Sequence, residues 1–162
     1  MSKAIAPGFG SEIWGKETGI GKDSEVLRTV LQKAHDHATE PLSLGWKRQL
    51  YDLAMEIGSE CSAPGWDGYR GAQIQTKAVI QTLKLISQLP DSSPRPELVP
   101  SPEGHISFEW HGSKGRVLSV SPKKELLIWA SVLGPDDTAY GRSPARKCWP
   151  ESILTILRDY FW

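Results

Sequence analysis

The stretch HISFEWHGSKGRVLSVSPKKELLIWASVL, residues 105–133, decides the architecture. In its first six residues Ile106, Phe108 and Trp110 alternate with His105, Ser107 and Glu109. That is the two-residue period of a strand with one face in a core and the other, here polar, toward water. HGSKG (111–115) turns the chain, RVLSVS (116–121) resumes as strand, PKKE (122–125) turns again, and LLIWASVL (126–133) makes a third and more apolar strand. Strands joined by connections this short pair antiparallel. TAYGR (138–142) reads either as a short edge strand or as a continuation of the GPDD loop before it. A meander of three to four strands is therefore expected.

Upstream the period is helical. Leu27, Val30, Leu31, Ala34 and Ala38 fall on one helical face after Asp23 or Ser24 as cap, and Pro41 ends that helix. Ser43 caps a second helix with Trp46, Leu50, Leu53, Ala54 and Ile57 in its stripe, running out near Gly58 to Cys61. A third starts at Thr76, turns Ala78, Val79, Ile80, Leu83 and Ile86 inward, and stops at Pro90. Between Asp91 and Gly104 the run SPRPELVPSPEG (93–104) holds four prolines, which exclude helix and imply a stiff extended crossing. Downstream, Pro150 takes the first position of a terminal helix with Ile153, Ile156, Leu157 and Tyr160 on one face. The chain reads as α+β: N-terminal helices, an antiparallel meander, and a C-terminal helix packed on one sheet face. Residues 1–22, with five glycines and no apolar period, read as a flexible arm, and 23–162 as a single domain.

Composition narrows the function classes. The 162 residues include nineteen basic and nineteen acidic side chains, so no global field favours nucleic acid or membrane. One interval is locally basic: Lys114, Arg116, Lys123, Lys124, Arg142, Arg146 and Lys147 stand against Glu125, Asp136 and Asp137. This is a pattern of solubilising hairpin tips, or alternatively of a nucleic-acid patch working with Trp129 or Trp149. No apolar run is long enough to span a bilayer, and MSKAIAPGFGSEIWG lacks the form of a secretory signal. A cytoplasmic location is expected, with Cys61 and Cys148 as free thiols used for packing.

Motif by motif, catalysis finds little support. GSEIWGKE (10–17) has phosphate-loop spacing, but Glu17 occupies the place where Ser or Thr would meet magnesium. His35 and His37 lie about 200° apart around a helix. His105 and Glu109 lie about 13 Å apart along a strand, which leaves only Glu109 and His111 able to approach one ion. No metal and no cofactor are expected. Neither cysteine has a histidine near it in sequence, and no nucleophile elbow occurs.

SAPGWDGYRGAQI (62–74) sets two large aromatics and a carboxylate among turn-forming residues. Asp67 before Gly68 is a turn signal. Trp66 and Tyr69 then either seal the ends of two helices or, with Asp67 and Arg70, form an exposed binding spot of hot-spot composition. GWDGYRGAQI, a helix ending in LP, and PELVPSPEGHISFEW together resemble a widespread group of small uncharacterised bacterial proteins. The shared pattern is W-D-G-Y-G-A-x-P-I, a helix, then P-x-V-x-P-T-P-D-G-x-I-x-L-E-W and a hairpin. The likeness runs from residue 46 to about 133, with Arg70 inserted, Gln73 in place of the proline, and PSPEG for PTPDG. It implies a helix–meander domain, brings no chemistry, and marks Trp66, Asp67, Gly68, Tyr69 and Glu109.

Absence of a catalytic set, neutral charge and seven tryptophans point to a bacterial or phage-type protein that contacts another protein. Regulators, antitoxins, inhibitors and immunity partners are of this kind. A small hydrolase using Asp67 or Glu109 with His105 or His111 is the alternative, and nucleic-acid binding through the basic patch a second one.

Overall fold

Five strands form one antiparallel sheet in sequential order in the computed structural model, which describes residues 45–145 and 148–162 together with Glu25, Arg28 and Thr29. Those three are helical. The rest of the helix expected at 24–38, the 1–22 arm and the Ser43 cap lie outside the described residues. Helices α1 (Gly45–Glu60) and α2 (Thr76–Gln88) precede strands β1 (Glu97–Pro100), β2 (Ile106–His111), β3 (Val117–Lys123), β4 (Leu126–Gly134) and β5 (Asp137–Pro144). Helix α3 (Glu151–Tyr160) closes the chain. The α+β class holds.

Two strands depart from the sequence reading. ELVP is paired as β1, with Leu98 opposite Phe108 and Pro100 opposite Ile106. Proline argues against a central strand, but β1 lies at the sheet edge, where one side of the backbone needs no ladder partner. The strand TAYGR extends to Asp137–Pro144, pairing along its length with β4. Pro150 caps α3, which begins at Glu151.

The pleat sorts side chains into two faces. Phe108, Val120, Trp129 and Gly141 are successive cross-strand partners, as are Trp110, Leu118, Ser131 and Ala139. That face carries the core. Ile106, Phe108, Leu118, Val120 and Leu127 are fully buried against Leu50 and Ala54 of α1, Leu83 and Ile86 of α2, and Ile153 and Leu157 of α3. Each such side chain contributes about 1.5–3 kcal/mol by leaving water. Trp149 enters just before α3, and its ring stands edge-on to Phe108 at 5.3 Å and to Trp110 at 5.9 Å. Its indole N–H donates to the Leu85 carbonyl at 2.9 Å, so one residue fastens the terminal helix to both sheet and α2.

On α1, Lys47 is buried although its position looks polar in sequence. Its ammonium donates to the Leu89 carbonyl at 2.6 Å and to Asp91 Oδ1 at 2.5 Å, tying α1 to the chain leaving α2. Arg116 donates to the carbonyls of Leu133 and Tyr160 at 3.3 and 3.2 Å, tying the start of β3 to the ends of β4 and α3. Among the described residues, no helix is long and apolar enough to cross a membrane.

Candidate functional site

The WDGY corner links the end of α1 to the start of α2. Gly65 and Gly68 both adopt positive φ, +76° and +79°, a conformation that side chains resist. Asp67 Oδ1 accepts the Tyr69 N–H at 2.9 Å and the Gly71 N–H at 3.0 Å. These two bonds hold its carboxyl below the usual range, because they favour the ionised form. The Gly65 N–H donates to the Gly71 carbonyl at 2.8 Å, closing the loop. A Cβ on Gly71 would stand 2.8 Å from Asp67 Cγ, so glycine is required there for close approach. The Trp66 indole N–H donates to the Ala72 carbonyl at 2.9 Å, and its ring packs against the core. The Ala72 N–H in turn donates to the Pro102 carbonyl at 2.8 Å, joining the corner to the β1–β2 connection.

The four residues singled out in the corner therefore divide. Trp66 and Asp67 hold the loop's shape. Tyr69 does not seal the helix ends: it is 87% exposed, and Arg70 beside it is exposed as well. Asp67 already accepts two backbone hydrogen bonds, and the clefts described near α1 are lined by other residues.

A second surface has no counterpart among the sites expected from sequence. On the sheet face turned away from the helices, β4 presents Leu126, Ile128, Ala130 and Val132, all exposed. Tyr140 of β5, opposite Ala130, is 87% exposed. A sequence signal for it exists: LLIWASVL is apolar at successive positions, whereas a strand wet on one face alternates. Around this column the face is mostly polar, with Ser119 and Ser121 on β3 and Thr138 and Arg142 on β5, while Val117 of β3 lies opposite Val132.

Farther along the same face Glu97, Glu109 and His111 gather. The His111 Nε2 lies 3.5 Å from Glu109 and 3.9 Å from Glu97. The Ser119 hydroxyl donates to Glu109 at 3.4 Å. A proline-rich segment that reads as a crossing hides Glu97 in the sequence; register with β2 puts it directly opposite Glu109. Among the described residues no group of three or more His, Cys, Asp or Glu side chains is placed to hold a metal ion.

His105 and Ser107 are expected from sequence to face solvent with Glu109, and both are buried. The Ser107 hydroxyl pairs with that of Ser121 at 2.9 Å, so its polarity is satisfied across the strands. Burial is the main cause that pushes His105 below the ordinary imidazole range; Glu103 opposes the shift and Lys123 adds to it. Cys61 is buried and its thiol pushed up by burial. Cys148 is exposed, contrary to a packing role.

Trp149 is in the core, Lys123 pairs with Glu103, and Arg116 is engaged with backbone carbonyls. Arg146, Lys147, the 10–17 motif and the His35–His37 pair lie outside the described residues. Compared with protein-family models, curated proteins and solved structures, the chain matches none.

Proposed function

We propose that the protein acts without catalysis, by binding another protein in the manner of a regulator, antitoxin, inhibitor or immunity partner. One observation carries the reading: the outward column of Leu126, Ile128, Ala130 and Val132, flanked by Tyr140. Scattered exposed apolar residues are ordinary, but a contiguous apolar column rimmed by serine, threonine and arginine is the composition of a contact surface. Tyr69 and Arg70 give a second, smaller point of contact, presented by a loop whose shape Trp66 and Asp67 maintain.

The experiment separates the two surfaces. Tagged protein is used to capture partners from the organism that encodes it, alongside Ile128→Lys/Val132→Lys and Tyr69→Ser/Arg70→Ser variants with wild-type circular dichroism. A partner is then purified and its affinity measured. The expected result is at least a tenfold loss with the sheet-face variant, about 1.4 kcal/mol or more, and a smaller loss with the corner variant. A partner whose affinity ignores both variants, or a clean monomer that retains nothing, overturns the reading.

A further inference from the structure

The sheet's two edges are built differently. β1 is four residues long and ends in Pro100, with Pro96 just before it and Pro102 just after. Short length and flanking prolines are how proteins keep an edge from pairing. β5 is eight residues long, none of its residues is buried, and its one proline, Pro144, is the last residue, leaving Asp137–Ser143 without one. Its middle, Thr138, Ala139, Tyr140 and Gly141, contains no proline, lysine or glutamate. Charge appears only toward the ends and with opposite sign: Asp136 in the turn just before the strand and Asp137 at its start, Arg142 near the finish. Laid antiparallel on itself, such a strand brings each acidic start beside a basic finish.

We propose that β5 pairs antiparallel with β5 of a second copy of this chain, across a two-fold axis normal to the sheet, so that two sheets become one. Backbone groups along the outer edge of β5, which has no strand partner among the described residues, supply the ladder, and the end charges select its register. Side chains directly opposite one another must share a face, which requires the axis to pass through a residue position. Centring it on Ala139 sets Arg142 opposite the partner's Asp136 and Tyr140 opposite the partner's Thr138. The Arg142–Asp136 pair forms twice in the dimer, as two-fold symmetry demands. Parallel or heterologous pairing would leave like ends together, or leave an edge open to further addition. The joined sheet keeps both outward β4 columns on one side, about 14 Å apart at three strand spacings. This assembly stands or falls on the purified chain alone, independently of any binding partner.

Sedimentation equilibrium of the full chain tests it, with Asp136→Lys and Arg142→Glu as variants, since both positions are exposed and neither supports the core. The wild type is expected to show a monomer–dimer equilibrium, and each single variant to weaken it about tenfold or more, because like charges then meet at both ends. An equimolar mixture of the two variants is expected to recover the wild-type dissociation constant, since each supplies the sign that the other needs. A wild type that stays monomeric at its highest soluble concentration overturns the proposal. So does a dimer that is indifferent to both charge reversals.

Discussion

Asp67 acts through its acceptor oxygens. With two backbone amides bound to Oδ1 and Gly71 packed against its carboxyl carbon, the corner tolerates neither loss of the acceptor nor added bulk. Gly71→Ala is expected to cost about 1–3 kcal/mol in urea unfolding, and Asp67→Ala to lower the midpoint, whereas Arg70→Ala leaves it unchanged. The acid sensitivity has two windows. His105 is depressed in the folded state, so the unfolded chain protonates first as pH falls. Its stabilising contribution is complete above about 6.5, the ordinary imidazole value, and declines below it until the folded imidazole also protonates. His105→Gln is therefore expected to flatten the stability slope that sets in below about pH 6.5 in urea titrations. Asp67 and Glu103 act lower. Backbone amides depress the first, and the Lys123 hydrogen bond and charge depress the second. Their contributions are present above the ordinary carboxylate range and lost as pH falls through the depressed values. At this scale the sequence shows that the corner is a turn, but not which aromatic faces inward. Spacing cannot distinguish Trp66 from Tyr69, because only the closed loop fixes where each points.

Helices and strands are legible where one face meets a core. Thr76 starts α2 as its stripe implies, and Ile106, Phe108 and Trp110 point inward together. What escapes a sequence reading are elements whose partners are distant along the chain. β1 exists because β2 offers it a ladder, and no local pattern in a proline-rich segment announces that. Lys47 likewise looks like a solvated residue until the chain after α2 returns beside α1. Lys47→Met is expected to destabilise by about 2 kcal/mol, because the Leu89 carbonyl loses its donor while the methylenes stay packed. Asp91→Asn, with an exposed side chain at 57%, should cost less. Thermal or urea midpoints of the two variants rank these effects, and an equal loss from both would place the energy in the ion pair rather than in the carbonyl bond.

Across the whole molecule, burial is graded from the helix-covered centre to an uncovered rim. β2 and β3 contribute Ile106, Phe108, Leu118 and Val120 with no exposure, and β5 contributes no buried residue. Amide exchange followed by mass spectrometry is expected to be slowest in β2 and β3, through global unfolding, and fastest in β5 through local opening. Self-pairing adds a concentration dependence to β5 alone. The open apolar column on β4 is written in the sequence as an apolar run broken only by Ser131, but its meaning depends on knowing that no described helix covers that side. The closed corner also leaves a chemical record of how often the chain opens. An aspartate followed by glycine ages when the glycine nitrogen attacks the carboxyl carbon, expelling water to form a cyclic imide that reopens as isoaspartate. In the folded chain the Gly68 N–H is donated to the Gly65 carbonyl at 3.0 Å, and the Asp67 carboxylate is kept ionised, the form least open to attack. Isoaspartate at this one bond should therefore accumulate only during excursions out of the native state, which makes slow storage damage at Asp67 a clock for unfolding.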